Sequence, residues 1–170
     1  MHPSQAACHH RIVRPSLLIL PVVCLFGGPV VCAEGIGEMT VIANPHPAPD
    51  DNFGQSVTSR GDYNCDGQYD LAVGVPNDDT AYPNTGSVYI FWAKPDGTYQ
   101  GNFFRKLVDP QAKADDHFGS SVAAGDVDGD GCHELLIGAP GAYVGTQYPD
   151  AGKVVIRHLR GVRAGTRTTV

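Results

Sequence analysis

The chain has 170 residues, a formal net charge of −6 at pH 7 and five cysteines, and 18% of its residues are charged. This length is enough for one domain, and the acidic balance excludes the basic surface that nucleic-acid binding requires. Glycine and proline are abundant, at 21 and 13 residues, which is typical of a fold with many short strands and turns.

Residues 1–33 have the features of a secretory signal peptide. Arg11 and Arg14 form a positively charged front, an apolar run follows over residues 17–26, and Val31-Cys32-Ala33 has the small-residue form of a cleavage site. A membrane anchor is the alternative, but the apolar run is short for a spanning helix and is interrupted by proline and glycine. We therefore predict a secreted or extracellular protein (periplasmic or on the cell surface if bacterial), with no transmembrane segment after cleavage.

The first pattern that carries chemistry lies between two apolar runs, Phe53–Ser59 and Leu71–Val75, which we predict to be strands. Oxygen-bearing side chains stand at the first, third, fifth and ninth places of this loop, and a glycine holds the sixth place. The predicted ligands of a cation are the side chains of four residues and the carbonyl of a fifth: Asp62, Asn64, Asp66, the Gln68 carbonyl and Asp70. Two further strands are expected at Gly86–Trp92 and Asn102–Leu107.

The same pattern returns later with more charge. Its predicted ligands are Asp126, Asp128, Asp130, the Cys132 carbonyl and Glu134. Carboxylates this close together repel one another unless a cation lies among them, and calcium takes six to eight oxygen ligands. The last acid is at the ninth place and the flanking runs are strand-like, so this is not a helix–loop–helix calcium site. A polar hairpin loop without metal is the alternative, because Asp-Gly pairs also form ordinary turns.

The two loops belong to an internal repeat with a period in the sixties. Phe53-Gly54 with Gly74-Val75-Pro76, and Phe118-Gly119 with Gly138-Ala139-Pro140, bracket the loops in the same order. In these motifs the chain resembles FG-GAP repeat proteins, whose repeats build the β-propeller head of integrin α subunits. The resemblance implies an all-β fold of antiparallel four-stranded propeller blades, here two FG-GAP repeats and so an incomplete propeller, with Ca²⁺ as the cofactor.

The resemblance also divides the chain. We predict a signal peptide over 1–33, an N-terminal strand and Pro-rich linker over 34–49, FG-GAP repeat 1 over 50–110, and FG-GAP repeat 2 with a basic tail over 111–170. The strand is placed at Met39–Ile42, as the outer strand of a preceding blade. A fourth strand for repeat 2 could lie at Val162–Val170, unless that segment is a frayed tail.

The function that follows from the resemblance is extracellular recognition or cell adhesion, as an integrin α-like module with calcium in a structural role. No metalloprotease or serine-hydrolase motif is present, so we expect no enzyme activity. The alternative is an accessory, non-catalytic propeller piece of a secreted hydrolase such as a phospholipase-type enzyme. The ligand, a protein or a glycan, is unknown, because propellers bind through variable loops.

Two expectations concern cysteines and completeness. Signal cleavage would leave Cys65 and Cys132, at the fourth and seventh places of their loops, and such non-equivalent positions predict free thiols. Propellers close with four to eight blades, so two blades leave two open apolar flanks, with residues such as Phe53, Phe118 and Ile137 on them. We therefore expect either a fragment of a larger propeller or assembly with other copies or chains that complete the ring.

Overall fold

The computed structural model of the chain describes residues 39–145 and 148–159. The predicted signal peptide and the predicted strand Val162–Val170 lie outside these residues. Within them the regular structure is entirely β, and no helix is long and apolar enough to cross a membrane.

Residues 39–145 and 148–159 contain seven antiparallel strands in two sheets, which confirms the all-β prediction. The first sheet, blade 1, has the order β1-β2-β3-β4, and the second, blade 2, has the order β5-β6-β7. The strands are β1 (Ser56–Gly61), β2 (Asp70–Val75), β3 (Ser87–Ala93), β4 (Tyr99–Leu107), β5 (Ser121–Gly125), β6 (Glu134–Ala139) and β7 (Lys153–Arg157). Each strand pairs with its neighbour along the chain, as in a propeller blade whose strands follow one another.

Blade 1 is apolar on both faces because successive side chains of a strand point to opposite sides of the sheet. Val88 and Ile90 of β3 lie on the face toward blade 2, whereas Tyr89 and Phe91 lie on the opposite face. All four side chains are fully buried. The continuous apolar run in β3 is therefore explained by packing on both sides.

The core between the two blades draws residues from both sheets and from the loops. It contains Tyr63, Ala72, Val88, Ile90, Trp92, Leu107, Phe118, Leu135, Ile137, Ala139, Ala142 and Leu159. The residues predicted for an open flank, Phe118 and Ile137, are therefore fully buried between the blades, and that part of the prediction is wrong. The error has a simple cause: the face that carries them is the one that packs on the preceding blade.

The Phe118-Gly119 pair ties the blades together through its backbone. The Phe118 amide donates to the Thr85 carbonyl of blade 1 at 3.0 Å, and the Gly119 amide donates to Gly138 of blade 2 at 3.0 Å. The Ser56 hydroxyl donates to the Gly119 carbonyl at 2.7 Å. A Cβ on Gly74 would collide with that carbonyl, so the close approach requires a glycine there.

The outer face of blade 1 is covered in part by the segment that precedes it. Ile42 and Phe53 pack on the face formed by Tyr89, Phe91 and their neighbours. The predicted strand at Met39–Ile42 is wrong: the structure assigns no strand to these residues. Since the segment pairs with no strand among the described residues, its apolar side chain is held by packing and not by a hydrogen-bonded ladder.

Candidate metal-binding loops

The two acidic loops occupy equivalent places, one between β1 and β2 and the other between β5 and β6, and they lie side by side. The His133 amide donates to the Asp62 carbonyl at 3.1 Å. The rings of Tyr69 and His133 meet edge to face, with centroids 6.1 Å apart. The blade packing thus brings the predicted cation ligands of both repeats to one end of the pair.

A disulfide between Cys65 and Cys132 joins the loops, and the prediction of two free thiols is wrong. The Cα atoms are 5.5 Å apart, within the range that a disulfide spans. The prediction assumed that two cysteines at different places in their loops, the fourth and the seventh, lie too far apart for a disulfide. Neighbouring blades lie side by side, however, and this brings the fourth place of one loop against the seventh place of the next.

The conformation of each loop depends on residues in the left-handed region. The sixth place is glycine in both loops, with φ of 84° at Gly67 and 90° at Gly131. The fourth place also has positive φ, 62° at Cys65 and 76° at Gly129. A left-handed backbone costs a non-glycine residue on the order of 1 kcal/mol, so the disulfide holds Cys65 in a conformation that glycine adopts freely.

In the first loop the carboxylate of Asp62 organises the turn. It accepts hydrogen bonds from the amides of Asp66, at 3.0 Å, and Gly67, at 2.9 Å. The Asn64 side-chain amide donates to Asp66 Oδ2 at 2.9 Å, and the Gln68 amide donates to Asp66 Oδ1 at 2.9 Å. The side chains predicted as ligands at the first, third and fifth places therefore contact one another or the same backbone.

The second loop repeats this arrangement with three carboxylates. Asp126 accepts from the amides of Gly129, at 2.8 Å, and Gly131, at 3.0 Å. The Cys132 amide donates to Asp130 Oδ1 at 2.8 Å. Carboxylate oxygens of Asp126, Asp128 and Asp130 all lie within 4.8 Å of one another and are exposed. Three exposed carboxylates at this spacing are the donor set that a hard divalent cation prefers.

The ninth-place acids differ from the others because they are buried. Asp70 accepts from the amides of Ala93, at 3.0 Å, and Tyr63, at 3.2 Å. Burial raises the pKa of Asp70 to about 7, although these two hydrogen bonds oppose the shift. Glu134, also buried, accepts from the Val127 amide at 3.1 Å. Each ninth-place acid thus anchors its loop to the backbone.

His158 is a residue near the second loop that sequence reasoning passed over. Its Nδ1 lies 3.1 Å from Glu134 Oε1 and 3.7 Å from Asp128 Oδ2. These three residues form a second group with the spacing of metal ligands, beside the group of three aspartates. By repeat position His158 corresponds to Trp92 of β3, next to Ala93, whose amide donates to the ninth-place acid Asp70 of the first loop.

The sequence of residues 53–91 and of residues 118–156 matches the family model of the FG-GAP repeat. The chain carries two FG-GAP repeats. Integrin alpha-PS5 of Drosophila melanogaster is 36% identical over 105 residues, which cover 57% of this chain and 10% of that protein. Integrin alpha-PS3 of the same organism is 34% identical over 104 residues, 57% of this chain and 9% of the relative. The matched segment is therefore about a tenth of the length of these relatives.

Each FG-GAP repeat also contains a buried acid to which the sequence assigned no role. Asp51 accepts from the Ala48 amide at 2.8 Å, and Asp116 accepts from the Lys113 amide at 3.0 Å. Both are buried and precede the Phe-Gly pair by two residues. Each acid closes the turn that precedes the Phe-Gly pair of its repeat, so its role is structural.

Proposed function

We propose that the chain is a secreted, calcium-binding FG-GAP propeller module that serves extracellular recognition or integrin α-like cell adhesion. Calcium has a structural role in this proposal, and the protein or glycan ligand is held elsewhere on the module. The observation that carries it is the pair of acidic loops at equivalent places of two FG-GAP repeats, side by side and joined by a disulfide.

The donor chemistry supports calcium. In the second loop the ligands are the carboxylates of Asp126, Asp128, Asp130 and Glu134, with the Cys132 carbonyl. All are oxygen donors, which calcium prefers at flexible sites. In the first loop the corresponding ligands are Asp62, Asn64, Asp66, the Gln68 carbonyl and Asp70. Extracellular calcium modules bind with Kd on the order of 10⁻⁴ to 10⁻³ M, which suits a structural ion outside the cell.

Secretion is supported by two independent features. Residues 1–33 have the pattern of a signal peptide, and disulfides persist in oxidising, extracellular compartments. The Cys65–Cys132 disulfide joins the two acidic loops. A chain that kept this disulfide inside a reducing compartment would be unusual.

We propose that the module has no enzyme activity of its own. In the alternative, an accessory propeller piece of a secreted hydrolase, the chain also has no activity of its own but lies next to a catalytic domain. An esterase assay of the purified chain, with and without calcium, tests whether the chain lacks activity. Turnover that depends on the acidic loops would contradict both forms of the proposal.

Calorimetric titration tests the calcium proposal. We expect the folded chain to bind calcium at millimolar concentration or tighter, and Asp128→Ala to remove a ligand and weaken the second site. Asp96→Ala is the matched control, because Asp96 is an exposed acid in a turn outside both loops, where it accepts from Thr98. No heat of binding at millimolar calcium, or equal binding by the two variants, would contradict the proposal.

A further inference from the structure

The junction between the two blades shows how a blade of this protein receives the segment that follows it. Residues 105–119 run from β4 of blade 1 to the Phe-Gly pair, and they contact both blades. At the blade 1 end, Val88 of β3 pairs with Leu107. At the other end, Phe118 forms a parallel bridge with Gly86 and is fully buried.

Blade 2 has a surface cleft lined by residues that correspond to those holding the Phe-Gly pair in blade 1. In blade 1 the Phe118-Gly119 pair lies against Ser56, Gly74 and Gly86, where added Cβ atoms on the two glycines would collide with it. Their counterparts by repeat position in blade 2 are Ser121, Gly138 and Gly152. These three residues line one surface cleft together with Pro140, Lys153 and Val154. The cleft is the place where a following Phe-Gly pair would lie.

The sheet face beside this cleft is apolar and exposed. Val154 and Ile156 are 67% and 48% exposed, whereas the equivalent residues of blade 1, Val88 and Ile90, are fully buried. The residue types are identical, so the difference lies in the neighbour and not in the sequence. Among the described residues, β7 is also the last strand of its sheet, and none of them pairs with its outer edge.

The chain carries a segment of matching form at its other end. Residues 40–54 lie on blade 1 in the way that residues 105–119 lie on blade 2. Ile42 corresponds to Leu107 and packs on the blade that follows it. Asp51 closes its turn as Asp116 does, and both Asn52 and His117 have positive φ, 57° and 53°. Among the described residues, no blade lies on the other side of this segment.

We propose that the exposed face of blade 2 binds residues 40–54 of a second copy of this chain, head to tail. The proposal names the surface through which other copies would complete the propeller. It rests on the proposed FG-GAP module, but not on calcium or on an adhesion ligand. In the register of the internal junction, Thr40–Ile42 of one copy add to β7 of the other as a fourth strand. Ile42 then lies opposite Val154, as Leu107 lies opposite Val88.

The contact is heterologous, since two different surfaces meet, and it repeats until a ring closes. Propellers close with four to eight blades, so the two blades among the described residues of each chain predict a ring of about two to four copies. Binding needs no rearrangement of the inserted segment, because residues 40–54 already hold the form that residues 105–119 adopt.

One pair in the intermolecular junction is less favourable than its internal counterpart. The Asn84 side-chain amide donates to Asp115 Oδ1 at 2.8 Å. The equivalent residues across the new junction are Asp150 and Asp50, two carboxylates. Asp150 has a φ of 54°, close to the 52° of Asn84, so the backbone matches while the charge does not. Replacing Asp150 by asparagine should therefore strengthen the association.

Sedimentation of the full secreted chain over a concentration series tests the proposal. We expect species of two to four chains, and we expect Val154→Arg to shift the chain to a monomer that is still folded, although its unfolding temperature should fall because association no longer stabilises the folded state. Val144→Arg is the control, because Val144 is also an exposed valine, 48%, but lies in the loop between β6 and β7 and not on the β7 face. Asp150→Asn should lower the dissociation constant about tenfold, the effect of gaining one charged hydrogen bond.

Mixing two variants separates this contact from unspecific apolar association. Val154→Arg removes the face but keeps the segment, whereas Val41→Pro blocks strand pairing of the segment but keeps the face. Each variant alone should be monomeric, and their mixture should form a one-to-one complex that does not grow. A monomeric parent chain, mixed variants that stay apart, or equal loss by Val144→Arg would overturn the proposal. These outcomes would show that a second copy does not bind this face through residues 40–54, and calcium titration of the monomer would still test the module itself.

Discussion

Blade 1 and blade 2 have the same sequence pattern but different surroundings. Blade 1 lies between residues 40–53 on one face and blade 2 on the other, whereas the described residues cover blade 2 on one face only. The valine and isoleucine of β3 are therefore fully buried, and the same two residue types in β7 are about half to two-thirds exposed. Burial in this protein is decided by a strand's place in the array, because a blade of a repeat protein buries its faces only against its neighbours.

The blades also differ in how they anchor their long loops. Asp78 of blade 1 is buried and bound by Lys106, at 2.6 Å, and by the Ser87 hydroxyl, at 2.8 Å. The equivalent residue of blade 2 is Ala142, which is fully buried in the core between the blades. The same loop is thus held by a charged network in one repeat and by apolar packing in the other.

The largest expected effect comes from removing the disulfide that links the two blades. The Cys65–Cys132 disulfide closes a loop with a sequence separation of 67 residues. Chain-entropy arguments give about 4 kcal/mol for a loop of this length. We expect the double variant Cys65→Ser, Cys132→Ser to lower the free energy of unfolding by that amount, measured by urea titration. Reduction of the parent chain should match the variant, and an unchanged midpoint in both would show that the disulfide does not form.

Breaking the charged network of blade 1 should have the next largest effect. Asp78→Ala leaves Lys106, Ser87 and Thr80 without their shared carboxylate, which we expect to cost about 2 kcal/mol. Asp78→Asn keeps the shape and some hydrogen bonds, so its cost should be smaller. Thermal unfolding of both variants measures the difference, and equal stability of Asp78→Ala and the parent chain would contradict the role.

Acid should weaken blade 1 through the same residue. Burial opposes ionisation of Asp78, but hydrogen bonds from Lys106, Thr80 and Ser87 outweigh it and lower the pKa of Asp78. A carboxyl whose folded pKa is depressed stabilises the fold above its unfolded pKa, about 3.9, and this contribution is lost as pH falls through the folded value. The difference in unfolding free energy between the parent and Asp78→Asn should therefore shrink below about pH 4. A constant difference would show that the charge of Asp78 contributes nothing.

The smallest effect sharpens the comparison of the two acidic loops. Asn64→Asp gives the first loop the carboxylate that Asp128 provides in the second. We expect calcium to bind the first site about fivefold more tightly, a gain of about 1 kcal/mol. Calorimetric titration in the Asp128→Ala background isolates this site. Unchanged affinity would mean that the third place does not contact the ion.

The fold and the position of both loops could be predicted from the sequence because their signals are local. Glycine at the sixth place, acids at alternate places and apolar runs on either side fix each loop between two strands. Strand ends were predicted to within about three residues, as for β2, predicted at Leu71–Val75 and found at Asp70–Val75. The repeat supplied the remainder, since each motif occurred twice in the same order.

The errors concern contacts between blades, which no local pattern encodes. The Cys65–Cys132 disulfide depends on how the blades lie beside one another, and so does the burial of Phe118. The segment Met39–Ile42 has the composition of a strand but no paired neighbour among the described residues. His158 was missed for the same reason, because it reaches the second loop through the sheet and not through the sequence.

The disulfide between the loops also sets how far the protein can stretch. A load applied to the two ends of the chain bypasses the segment between Cys65 and Cys132, which holds most of blade 1 and the first strand of blade 2. An extended chain spans about 3.3 to 3.6 Å per residue. Until it is reduced, the disulfide therefore prevents roughly 220 to 240 Å of chain from extending. A module under tension would lengthen in two steps, and the second step would require a thiol to reduce the disulfide.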